Sequence, residues 1–279
     1  MQLMKIPPKL AIINDISGYG HCSLTVALPV VSAMSVQGCP VPTSYFSNHM
    51  GYPVYFSKDL TEYLPEYLSK WEELEIAFDG IYCGFLSSVK QITVIRDFIK
   101  RQKAKNSSCK VIVDPVMGDH GKTYRSVTDT FCEEMKQMIA EADMITPNVT
   151  EACILTGKSF SEEMEEKEYR DMAFRLWDMG ADKIVITGIR KGNFVLNLIC
   201  ESKDSCEIIQ NEIAGESRPG TGDLFSSIIA ADAVKDKDFK ESVKRAADFV
   251  AMCTKVSHDL NMPIQDGVCF ENFLNTLTK

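Results

Sequence analysis

The sequence predicts an α/β fold, a mostly parallel sheet buried between helices on both faces. Three observations predict it. Short β-branched apolar runs recur along the chain and are nearly continuous, as in strands buried on both faces. Helical patterns lie between them, and each helix-plus-strand unit spans roughly 30 residues, the size of a βαβ crossover. Several runs end in Asp-Pro, Pro-Asn or Thr-Gly, the residues of strand-to-helix turns.

Residues 10–13 are the first expected strand. Residues 76–78 and 80–83 follow, then 111–113 before Asp114-Pro115, 144–145 before Thr146-Pro147-Asn148, and 184–186 before Thr187-Gly188. A helix is expected over 89–103, with Ile92, Ile95 and Ile99 on one face and Lys and Arg in its last turn. A second runs over 131–139 through Met135 and Met138, and a third over 164–179 through Met172, Leu176 and Met179. Residues 194–198 and 208–213 alternate more clearly and flank a charged segment, so they read as an antiparallel pair near one sheet edge. After Gly222 the chain turns helical to its end, with a break over 257–267. No linker, low-complexity stretch or repeat interrupts the pattern, which favours one domain over 1–279.

Composition narrows the function. Of 279 residues, 45% are hydrophobic and 25% charged, which excludes disorder, collagen and coiled coil. The net charge is -9, from 30 basic against 39 acidic residues, and no Lys/Arg run supplies a nucleic-acid-binding face. The acidic run over 162–168 reads as a solvated helix start. No stretch approaches 18 uninterrupted apolar residues, and no signal peptide is recognisable, so a cytoplasmic protein without a membrane partner is expected. The 10 cysteines contain no CxxC pair, the nearest two being Cys200 and Cys206, and they read as reduced core residues. The 4 histidines are scattered, which argues against zinc.

The strongest chemical signal is Arg218-Pro219-Gly220-Thr221-Gly222-Asp223-Leu224-Phe225. Two glycines let backbone N–H groups share a concavity, and a helix start adds unsatisfied donors and a positive dipole end. Such a place binds phosphate. An aspartate there repels phosphate, but it makes sense as the base for an attacking hydroxyl. It also suits a simple N-cap after a glycine turn. A second signal lies at the strand ends: Asp114 with Asp119, Asn148 with Glu151, and Thr187. Ligands of open α/β sheets bind outside the carboxyl ends of strands, and carboxylates and amides suit Mg²⁺. The same residues are frequent turn formers and caps. Residues 14–23 (NDISGYGHCS) lack the third glycine of GxGxxG, so a loop over a small ligand, or a plain turn with Ser23 as cap, fits better than a dinucleotide site. Residues 47–53 cluster polar and aromatic groups in a turn, with His49 structural.

Taken together, DPVMGD (114–119), ITPN with the following glutamate (145–151), VITG (185–188), GTGDLF (220–225) and FSNHMGY (46–52) resemble the pyridoxal/pyridoxamine kinases of the ribokinase-like superfamily. The resemblance implies a three-layer ribokinase-like sandwich and ATP-dependent phosphorylation of a 5′-hydroxymethyl group on a vitamin B6 vitamer. It implies Asp223 as general base, with Gly220, Thr221 and Gly222 stabilising the transferring phosphoryl. Asp114, Asn148 and Glu151 would organise Mg²⁺ beside ATP, with Asp119 and Thr187 on the nucleotide side. Asn14, Ser17, Ser47, Met50 and Phe85 would face the substrate. K⁺ and a homodimer are further implications. Three departures bear on the substrate: Met50 stands where the family has Thr, and Phe85 where it has Tyr. DISGYG replaces SIQS and resembles instead the DPSGGAG of hydroxymethylpyrimidine kinases, which leaves hydroxymethylpyrimidine as the alternative substrate. A catalytically silent nucleotide-binding protein is the alternative of another class. Residues 47–58 are expected to act as a flap.

Overall fold

Consecutive side chains of a strand leave opposite faces of the sheet, and the strands of this chain bury both. In a computed structural model, which describes residues 6–213 and 215–278, the chain begins with β1 (Lys9–Ser17), α1 (Leu24–Ala33), β2 (Gln37–Phe46), β3 (Ser57–Asp59) and α2 (Leu64–Glu73). It continues through β4 (Gly80–Cys83), α3 (Val89–Lys105), β5 (Lys110–Val113), the small hairpin β6 (Gly118–Asp119) and β7 (Lys122–Thr123), and α4 (Asp129–Ile139). Then come β8 (Met144–Ile145), α5 (Val149–Thr156), α6 (Glu166–Asp178), β9 (Lys183–Lys191), β10 (Phe194–Ser202), β11 (Ser205–Glu212), α7 (Thr221–Ala233) and α8 (Phe239–Asp259). Residues 1–5, 214 and 279 of the expected domain lie outside the described residues.

The main sheet has 9 strands in the order β11-β10-β9-β8-β5-β4-β1-β2-β3. The run from β9 to β2 is parallel; β10, β11 and β3 are antiparallel additions at the two edges. Ala11, Ile13, Ile81, Cys83, Val111, Val113, Ile145, Ile184 and Ile186 pack toward α2–α6. Their neighbours Leu10, Ile12, Tyr82, Ile112, Met144 and Val185 pack toward α1, α7 and α8. Two apolar cores thus sandwich one sheet, the α/β architecture expected from the sequence.

Several elements differ from expectation. Residues 76–78 form no strand, because side chains of α3 satisfy their backbone: Gln102 accepts from the Phe78 N–H at 3.3 Å and Asn106 donates to the Phe78 carbonyl at 2.9 Å. β2 was not legible because Pro40 and Pro42 interrupt it; it tolerates them because its outer side pairs only from Ser44, with β3. β9 does not end at Thr187 but continues to Lys191. Thr187 and Gly188 instead form a bulge against Asn197, with Gly188 at φ 73°. Cys200 and Cys206 are not reduced: they form a disulfide. They stand opposite each other in the β10–β11 pair with Cα atoms 4.2 Å apart, within bridging reach. Among the described residues, no helix is long and apolar enough to cross a membrane.

Candidate active site

The strand order reverses beside β1: the chain runs from β1 outward to β2 and β3, then returns to β4 on the other side. Such a switch point opens a crevice at the carboxyl ends of the strands. Asn14 of β1, the Gly84-Phe85 turn after β4 and Asp114 after β5 all lie there, and α7 brings Asp223 against them.

Asp223 sits in the first turn of α7, after Gly220 at φ 81°. Only glycine fits at 220, since a Cβ would lie 1.9 Å from the His21 carbonyl. Thr221 and Gly222 open the first turn of α7, with Gly220 before them as N-cap; first-turn amides have no acceptor within the helix and form a set of free donors. The Thr221 hydroxyl donates to the Arg218 carbonyl at 3.0 Å, so its side chain serves the turn. A Cβ on Gly222 would stand 3.7 Å from Asp114 Oδ2, so Asp114 borders this donor set. Both oxygens of Asp223 are held: Oδ1 accepts from Asn14 Nδ2 at 3.0 Å and Oδ2 from the Ser23 N–H at 2.7 Å.

Asn14 is wedged into place. Its Oδ1 accepts from the Asp15 and Phe85 amides, both at 3.0 Å, and a Cβ on Gly84 would stand 2.6 Å from its Nδ2. Ser17, expected at the substrate, is 1% exposed, and its hydroxyl donates to Asp15 Oδ2 at 2.9 Å. Ser23 precedes α1 but does not cap it; at φ 55°, ψ -135°, its hydroxyl goes instead to Asp15 Oδ1 at 2.6 Å. That backbone region costs a non-glycine residue about 1–3 kcal/mol. The loop over residues 14–23 was expected either to close over a small ligand or to turn with Ser23 as cap, but no role at the site was given to Asp15 or Ser23. The one available signal was a charged residue closing an apolar strand.

On the far side, Asn148 caps α5 and forms a capping box with Glu151, its Oδ1 accepting from the Glu151 amide at 3.0 Å. Glu151 accepts from the Asn148 and Met117 amides at 2.8 and 3.2 Å, and Asn148 Nδ2 donates to the Gly118 carbonyl at 2.8 Å. Asp114 Oδ2 takes the Ser226 hydroxyl at 3.0 Å. Among the described residues, no three His, Cys, Asp or Glu side chains gather closely enough to hold a metal by themselves. A single carboxylate edge would suit a Mg²⁺ that keeps most of its waters. Asp114 offers the carboxylate edge, while Asn148 and Glu151 are largely committed to the fold. Asp119 is exposed on the β6–β7 hairpin, and Thr187 sits half-buried at the β9 bulge, bridged to Asn148.

Burial raises the carboxyls of this site. Asp223 is pushed up to about 6 by burial, opposed by the Ser23 N–H, with Asp15 adding like charge. Asp114 rises to about 7 through burial and the neighbouring Asp223 charge. Glu151 is raised well above the carboxylate range by burial and by Asp114. A cluster of acids withdrawn from water is poised to accept a proton and to bind a cation.

The segment after β2 stands over the crevice edge. Ser47 does not present its hydroxyl to the crevice alone: Oγ donates to Asn48 and accepts from the Phe56 amide at 2.8 Å. Met50 is 45% exposed at the tip, whereas Phe85 is buried against Phe46, ring centroids 6.1 Å apart. Met50 and Phe85, expected to share a ligand, thus sit in different environments. His49 donates through Nε2 to the Gln265 carbonyl at 2.6 Å, and its Nδ1 accepts from Gly51 at 3.1 Å, a structural role. The Tyr52 hydroxyl donates to Asp266 at 2.6 Å. Two surface clefts, one of about 460 Å³ beside Tyr19 and Glu271 and one of about 540 Å³ beside Lys58 and Lys90, lie apart from Asp223 and Asp114.

Comparison with known proteins bears on this arrangement. A family model described as phosphomethylpyrimidine kinase matches residues 29–267. The hydroxymethylpyrimidine/phosphomethylpyrimidine kinase of Aquifex aeolicus is 31% identical over 198 residues, covering 68% of this chain and 74% of that protein. The pyridoxine/pyridoxal/pyridoxamine kinase of Bordetella avium is 27% identical over 262 residues, covering 89% and 86%. Among solved structures, a Bacteroides thetaiotaomicron protein assigned to the phosphomethylpyrimidine kinases superposes with a TM-score of 0.93 at 30% identity, over 99% of this chain and 96% of that one. A second crystal form of it, with pyridoxal, superposes at 0.92.

Proposed function

The chain belongs to the phosphomethylpyrimidine kinase family, and on that premise we propose that it transfers the γ-phosphoryl group of ATP to the 5′-hydroxymethyl group of pyridoxal, pyridoxamine or pyridoxine. The observation that carries this reading is Asp223: a half-buried carboxylate, held at both oxygens, at the amino end of a helix on the crevice of the strand-order switch. With its carboxyl near 6, Asp223 is ionised at neutral pH yet basic enough to take the alcohol proton as the oxygen attacks. The first-turn amides of α7 receive charge on the transferring phosphoryl without reorganising. Asn14 and Ser23 fix the carboxylate, so the hydroxyl is met in one orientation. Magnesium, when bound, neutralises the phosphate tail; Asp114 is the side chain best placed to hold it, with Asn148 and Glu151 shaping the turn beneath. K⁺ dependence and a homodimeric assembly belong to the same proposal.

A B6 vitamer is favoured by the FSNHMGY segment and by the crystal form with pyridoxal of a relative at 30% identity. Hydroxymethylpyrimidine is favoured by the DISGYG loop and by the Aquifex aeolicus relative. The test is ADP release from Mg²⁺-ATP with pyridoxal, pyridoxamine, pyridoxine and hydroxymethylpyrimidine in parallel. Turnover on a vitamer supports the first reading, and turnover on hydroxymethylpyrimidine alone replaces it with the second. ATP binding with no turnover on any alcohol points to a silent nucleotide binder.

A further inference from the structure

The chemistry assigned to Asp223 leaves the buried carboxylate of Asp15 without a task. Asp15 is 5% exposed and sits where β1 loses register with β2. Among the described residues it makes no ion pair; its oxygens are met by the hydroxyls of Ser23 at 2.6 Å and Ser17 at 2.9 Å. A carboxylate withdrawn from water without a countercharge is costly to keep.

The bond to Ser23 has a consequence for its backbone. Ser23 occupies φ 55°, ψ -135°, a region that L residues rarely adopt, and forgoes the cap of α1 that its position offers. From this conformation its N–H donates to Asp223 Oδ2 at 2.7 Å. Relaxation of Ser23 to ordinary N-cap angles would re-aim the peptide plane that carries this N–H. Asp15 Oδ1 accepts the Ser23 hydroxyl at 2.6 Å, so Asp15 supplies the hold that the strained serine needs.

We propose that Asp15 is a positioning residue for the reaction: it fixes the Ser23 hydroxyl, and through it the backbone conformation that presents the Ser23 amide to Asp223. This rests on the reading of Asp223 as the base. It predicts that Asp15 and Ser23 act as one unit, so their substitutions do not add.

The experiment is a double-mutant cycle on the full chain with Asp15→Asn, Ser23→Gly and the double variant, read as kcat, KM for ATP and Tm. Asp15→Asn is expected to lower kcat about 10- to 100-fold while KM for ATP stays within about twofold, the mark of a misplaced catalytic group. Ser23→Gly adopts the same angles without an anchor and is expected to lose less than about fivefold. Adding Asp15→Asn to it is expected to cost less than about threefold more. Ser23→Ala keeps the strain, loses the hydroxyl and should reproduce the Asp15→Asn defect, which covers the case of an Asp15 variant that fails to fold. An undiminished Asp15→Asn effect in the Ser23→Gly background, or Ser23→Ala with wild-type kcat, overturns the proposal. Asp223→Asn run alongside separates the premises. Wild-type turnover there removes the base and the proposal together, whereas an inactive Asp223→Asn beside a fully active Asp15→Asn removes the proposal alone.

Discussion

Asn14 and Asp223 lie 209 residues apart in sequence, yet the Asn14 side-chain amide donates to the Asp223 carboxylate at 3.0 Å. The bond ties the end of β1 to the start of α7, two elements that face each other only because the strand order reverses beside β1. The other side of the Asn14 amide accepts from the Asp15 and Phe85 backbone, so it cannot turn away. The carboxylate is therefore aimed by the sheet itself.

Asn14→Ala removes a donor to the ionised form of Asp223. Such a donor lowers a carboxyl's pKa, so its loss raises it. The acid limb of kcat/KM, expected near pH 6 in the wild type, should move to higher pH. The Asp15 and Phe85 amides also lose their acceptor, at about 1–3 kcal/mol each if left unmet. A pH–rate profile with an unmoved limb would refute the role given to Asn14.

Asp223→Asn removes the base and should lower turnover by roughly 10²–10⁴-fold. It also sets the new amide NH₂ against either the Asn14 NH₂ or the Ser23 N–H, both of them donors. No gain in Tm is therefore expected from removing this half-buried charge. ATP affinity, measured by calorimetry, should persist.

The two glycines before Asp223 should fail differently. At Gly220 the positive φ and the His21 carbonyl leave no room for a methyl, so Gly220→Ala is expected to destabilise by about 3 kcal/mol or more. At Gly222 the nearest atom is Asp114 Oδ2 at 3.7 Å, an ordinary contact. Gly222→Ala should fold with a near-wild-type Tm but place a methyl where the phosphoryl is received, and lose kcat. Equal Tm losses in the two variants would contradict this.

How much of this could be read from the sequence follows from the range of the interactions. The parallel strands were legible because burial on both faces leaves continuous apolar runs, as in residues 10–13, 111–113 and 184–186. Asp223 was legible because glycine, helix start and acid are neighbours in the chain. β2 was not, since its prolines are admissible only on a strand with one side largely unpaired, which is a fact of topology. Asp15 and Ser23 were not, since the Ser23 amide meets a partner 200 residues away and Asp15 reaches that partner only by way of Ser23. The Cys200–Cys206 bridge depends on hairpin register, which spacing alone does not fix.

Residues 47–58, the expected flap, run from the end of β2 into β3 and are tied down by the turn near residue 266. The Tyr52 hydroxyl and His49 Nε2 both reach it, at 2.6 Å, and the same turn accepts from the His21 amide at 3.1 Å. Arg218, just before the α7 turn, donates to the carbonyls of Met262, Pro263 and Gly267. If this segment is the flap, Tyr52→Phe should speed amide exchange over residues 48–56 and raise KM for the alcohol several-fold while leaving KM for ATP near wild type. Exchange unchanged by the substitution, and by adding ATP with substrate, would remove the flap.

Asp114 is held at a cost to stability that can be measured. Its carboxyl is pushed up to about 7 by burial and by Asp223, against about 3.9 in an unfolded chain. Below the unfolded value both states carry the proton and the fold bears no penalty. Between about pH 4 and 7 the folded state binds more protons than the unfolded one, so stability falls as pH rises, and above 7 the penalty is complete. Asp114→Asn removes it, and the amide oxygen can still take the Ser226 hydroxyl at the 3.0 Å position. In chelator-treated protein at pH 8 the variant should be more stable by about 1–3 kcal/mol, the gain shrinking toward zero below pH 4. Its activity should be lost, and added Mg²⁺ with nucleotide should raise the Tm of the wild type more than that of the variant. A variant less stable at pH 8, or equally shifted by the metal nucleotide, would show that Asp114 serves the fold instead of the cation.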